Sequence, residues 1–168
     1  ISLMLRYGLI VQVFAKNNSD DDPQYIVPSL LPPCEEPKLL RIDGEWGRRG
    51  VCMHTCYFFC TLSPGLEKQS KLEASDLRVK GFCPSGLYAR VLGKLIIWTQ
   101  ETSVDGFWDQ HSVALFKDVS MLSFGSRFFR LTYIPSLNCF RADIQGSNPL
   151  VIAEKLSDLI QESIKECM

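Results

Sequence analysis

The chain has 168 residues and a formal net charge of −1, with 46% apolar and 22% charged residues. That length buries a core without metal or disulfide staples, and that composition excludes wholesale disorder. The balance of 18 Lys+Arg against 19 Asp+Glu excludes the basic stripe of an ordinary nucleic-acid binder. Apolar runs such as Leu9–Val11 and Leu95–Trp98 fall far short of the ~20 residues a membrane-spanning helix needs, so no membrane span is expected.

Seven cysteines cannot pair completely, and Cys52, Cys56 and Cys60 sit inside one apolar run. They read as small buried hydrophobes of a reducing compartment. No charged-then-apolar leader opens the sequence, so the expected location is cytoplasmic. Residues Ile1–Tyr7, with Arg6 ahead of Gly8, read as the tail of a helix whose start lies upstream. The expectation is a piece of a longer protein.

Leu9–Phe14 is a β-branched run, Lys16–Pro23 a solvated loop carrying Asp20–Asp22, and Gln24–Val27 a returning strand that stops at Pro28. Together they predict a long-looped hairpin. The stretch Pro32–Pro37 is a stiff proline-rich connector and marks the predicted domain boundary, between residues 1–31 and 38–168.

Beyond the connector, Leu39–Ile42 is a short strand candidate and Val51–Leu62 the strongest one. Period-two alternation puts Cys52, His54, Cys56, Phe58 and Cys60 on one face and Met53, Thr55, Tyr57 and Phe59 on the other. Ser63–Ser75 is polar and charged, and Leu77–Phe82 reads as another strand. Cys83–Gly86 then turns into Leu87–Gln100, where Leu87, Val91, Leu92, Leu95, Ile96 and Trp98 recur at helical spacing with Arg90 and Lys94 outside. Phe107–Phe116, Val119–Phe124, Arg127–Ile134 and Cys139–Ile144 are predicted strands with connections short enough to make them antiparallel neighbours. Ser147-Asn148-Pro149 opens a final amphipathic helix bearing Leu150, Ile152, Ala153, Leu156, Leu159, Ile160 and Ile164. The predicted class is α+β, an antiparallel sheet flanked by helices on one face.

Chemistry-bearing patterns are few. Cys52, His54, Cys56 and Cys60 offer zinc-type ligands, but their spacing is the period of a strand, whose alternate residues diverge by ~7 Å. Cys83 through Arg90 resembles the phosphate loop of cysteine phosphatases, yet six residues intervene where that loop has five. Leu87 and Tyr88 are also bulky where amides should face an anion. His54 and His111 each fall within a strand, Ser85 lacks a nucleophile elbow, and Asp20–Asp22 lacks the ligand alternation of a calcium loop. No phosphate-binding Gly-rich loop followed by Lys-Ser/Thr is present. The residues favour an interaction module over an enzyme, and the alternative is a thiol- or metal-dependent activity built on Cys52, Cys56, Cys60 and Cys83.

Two phrases carry a family resemblance. Leu5-Arg6-Tyr7-Gly8-Leu9 leads to Tyr25-Ile26-Val27-Pro28-Ser29-Leu30-Leu31-Pro32, and later comes Phe82-Cys83-Pro84-Ser85-Gly86-Leu87-Tyr88-Ala89-Arg90-Val91-Leu92. They resemble the COR domain, the partner of the Roc GTPase in Roco proteins. The resemblance spans nearly the whole chain and implies the end of a winged-helix-like first COR subdomain in residues 1–31, followed by the sheet-containing second subdomain. It further implies a non-catalytic scaffold that packs on the Roc GTPase domain, relays its nucleotide state and supports dimerisation. No cofactor is implied for these residues, since GTP would belong to the Roc domain. The candidate interaction surface is then Phe82, Tyr88, Trp98 and Trp108, aromatic residues of the type that interfaces favour.

Overall fold

Alternation in the C-terminal half folds as a sheet. The computed structural model describes residues 4–5, 9–13, 24–35, 53–60, 86–102, 114–125 and 127–167. Strands β1 (Val11–Val13) and β2 (Gln24–Ile26) form a two-stranded antiparallel sheet. A second sheet contains β3 (Met53–Phe59), β4 (Ala114–Leu115), β5 (Val119–Phe124), β6 (Arg127–Ile134) and β7 (Cys139–Gln145). Its order is β3-β7-β6-β5-β4, antiparallel throughout. Helices α1 (Leu87–Glu101) and α2 (Leu150–Glu166) complete an α+β architecture.

Strand periodicity divides the large sheet into two chemically distinct faces. Leu122, Phe129, Leu131, Phe140, Ala142 and Ile144 point inward and share one apolar cluster with Leu87, Val91, Leu92, Leu95 and Ile96 of α1 and Ile152, Leu156, Ile160 and Ile164 of α2. Removing one of these fully buried side chains leaves a cavity, at about 2–5 kcal/mol per truncation. Between the helices, Lys94 Nζ lies 2.7 Å from Glu166 Oε1 and 3.1 Å from Glu162 Oε1, and Arg90 Nη1 lies 3.3 Å from Glu166 Oε2. Arg90 and Lys94, expected on the outer side of α1, therefore pin it to α2. The hydrogen bond from Lys94 holds the Glu166 carboxyl below its ordinary value. These exposed pairs are worth about 0.2–1 kcal/mol each.

The hairpin is not separate from this core. Val11 and Val13 belong to the same apolar cluster as α1. The proline-rich connector is tied down as well. Lys117 N–H donates to the Pro32 carbonyl at 2.9 Å, and Cys34 N–H to Asp118 Oδ1 at 3.4 Å. Near the N-terminus, Met4 and Leu5 are helical and Leu9 N–H donates to the Met4 carbonyl at 2.9 Å.

Several local expectations change. Of Phe107–Phe116, residues 107–113 lie outside the described residues, and Ala114–Leu115 is strand. Leu39–Ile42, Ser63–Ser75 and Leu77–Phe82 lie outside them. Asn148 does not cap α2. It takes a left-handed φ of 55°, so the residue entering the helix is Pro149, which has no side-chain acceptor. Leu150, expected on the apolar stripe, is exposed because it sits about 200° around the helix from the first core residue, Ile152. Among the described residues, no helix is long and apolar enough to cross a membrane.

Gly86 starts α1 with φ 84°, and its carbonyl accepts from Arg90 N–H at 3.0 Å. A Cβ there would meet nothing within 4 Å, so a substitution strains only the backbone. Gly86→Ala should therefore lower stability by about 1–2 kcal/mol in chemical denaturation, with no change in the denaturant slope.

Candidate interaction surface

The outer sheet face is built around one carboxylate. Asp143 lies at the centre of β7 with 0% exposure. Register sets it opposite Thr55 of β3 and Arg130 of β6. Thr55 Oγ1 donates to Asp143 Oδ1 at 2.8 Å, and Arg130 donates to Oδ2 from Nε at 3.1 Å and from Nη2 at 2.8 Å. Arg141, two residues along the same face of β7, donates from Nε to Oδ1 at 3.0 Å and places Nη2 2.9 Å from it. Burial pushes the Asp143 carboxyl up. The hydrogen bonds from Arg130 and Thr55 and the two guanidinium charges outweigh it and hold the group below its ordinary value.

Beside this cluster the edge strand β3 is apolar and exposed, whereas Cys139 and Gln145 of β7 and Val119 and Met121 of β5, on the same side of the sheet, are buried. Met53, Tyr57 and Phe59 of β3 are 41%, 51% and 44% exposed. Tyr57 stands directly opposite Arg141, and Phe59 opposite Cys139. The expected two-faced reading holds for Cys56 and Phe58, which pack against the core while Met53, Thr55, Tyr57 and Phe59 face outward, but His54, expected beside Cys56, is exposed, and Cys52 lies outside the described residues. At the Met53 end, Gln145 is buried and its Nε2 has no hydrogen-bond partner.

Of the aromatic residues anticipated as a surface, Tyr88 and Trp98 lie among the described residues. Tyr88 is buried, stacks on Phe140 with 6.1 Å between ring centroids, and shares a 2.7 Å hydrogen bond with Ser120 Oγ. Burial pushes its phenol far above the ordinary value. It is a core residue, because the apolar arc of α1 extends to its position and Ser120 answers its hydroxyl. Trp98 is half-buried and stacks on Phe124 with 4.6 Å between centroids. Phe82 and Trp108 lie outside the described residues.

Of the thiol and metal candidates, Cys56 and Cys60 lie among the described residues. Cys60 is buried and its N–H donates to the Asn138 carbonyl, while Cys52 and Cys83 lie outside the described residues. Burial pushes the Cys139 thiol up, away from the thiolate. Among the described residues, no group of three or more His, Cys, Asp or Glu side chains could hold a metal ion. Neither a protein-family model, nor a curated protein, nor a solved structure matches this chain.

Asp143 supplies the pH-dependent part of stability here. Its folded-state value is lowered from about 3.9, so its contribution is complete above pH ~4 and is lost as pH falls below that toward the folded value. Asp143→Asn should cost about 2–3 kcal/mol at neutral pH, since it removes the charge on which the Arg130 and Arg141 guanidinium groups converge. The gap between variant and wild type should close as denaturation curves are taken below pH ~4.

Proposed function

We propose that this chain is a non-catalytic interaction module of the COR type, a scaffold that packs on a Roc GTPase domain, relays its nucleotide state and supports dimerisation. The observation that carries this reading is the outer face of β3, where Met53, Tyr57 and Phe59 stand exposed beside Arg141 while the helices cover the opposite face. Antiparallel sheets commonly leave one face to solvent, but that face is then polar. Three large apolar side chains on one short strand, beside a fixed arginine, are the make-up of an interface centre.

The family-like phrases occupy positions consistent with the reading. Val27–Leu30 turns out of the hairpin through a short 3-10 segment at Pro28–Leu30, and Gly86–Leu92 starts the helix that packs between hairpin and sheet. The tied connector at Pro32 and Cys34 offers a mechanical route from the hairpin to the β4–β5 turn. A cytoplasmic location goes with this reading, as does a GTP site on the partner rather than on this chain.

The direct test mixes the purified chain with a Roc GTPase domain loaded with GDP or with a non-hydrolysable GTP analogue. A saturable complex should form, with affinity that differs between the nucleotide states. Tyr57→Ala and Phe59→Ala together should weaken it at least about tenfold while leaving the melting temperature nearly unchanged. Absence of a complex in both nucleotide states would overturn the reading.

A further inference from the structure

We draw no further inference here: the strongest candidate, the exposed apolar side of β3 formed by Met53, Tyr57 and Phe59, belongs to the site already described, and nothing in the structure shows what covers it.

Discussion

A carboxylate with no exposure to water is tolerated in a protein only when its charge and its lone pairs are answered by donors in fixed places. Asp143 meets that requirement with donors on three different strands: Thr55 on β3, Arg141 on its own strand β7, and Arg130 on β6. The consequence is register. A slip of one residue in β7 would turn Asp143 toward the apolar cluster beneath the helices, and would turn Phe140, Ala142 and Ile144 away from it. The same cluster that organises the outer face thereby protects the packing of the inner one.

Much of the remaining architecture follows from the inner face. Phe129, Phe140 and their neighbours present a continuous apolar surface that α1 and α2 cover, and β1 reaches the same cluster through Val11 and Val13. Polar contacts at the margins orient these parts more than they stabilise them. Lys94 and Arg90 set α2 against α1 through Glu162 and Glu166, and Tyr88 reaches Ser120 across the helix–sheet boundary. The outer face is left with an arginine held from below and three exposed apolar side chains.

The alternation of β5, β6 and β7 and the helical stripes of α1 and α2 were legible because each is a local period, read without knowing what packs on it. Even part of the Asp143 cluster was written there. A hairpin closing on Pro135–Asn138 sets Ile134 opposite Cys139 and so Arg130 opposite Asp143, and Arg141 shares a strand face with Asp143 by its spacing alone. The contribution of Thr55 was not legible. The pairing of β3 with β7 joins residues 80 or more positions apart, and no local pattern encodes it. Tyr88 illustrates the opposite difficulty. An aromatic residue at the border of a helix stripe reads equally as core or surface until the partner of its hydroxyl, Ser120, is placed. The aromatic residues that do face outward, Tyr57 and Phe59, were on the page as one side of a strand, but which side met the helices depended on tertiary packing.

A double-mutant cycle between Arg130 and Asp143 tests the central claim most directly. Stability would be measured by chemical denaturation at neutral pH for wild type, Arg130→Met, Asp143→Val and the double variant. If Asp143 ties β6 to β7 through a buried charge pair, Arg130→Met leaves the carboxylate with Arg141 and Thr55 alone, Asp143→Val removes the carboxylate on which both guanidinium groups converge, and the double variant recovers part of the loss. The predicted coupling is about 2 kcal/mol or more. Additivity within about 0.5 kcal/mol would contradict the claim and return the outer face to an ordinary solvated surface.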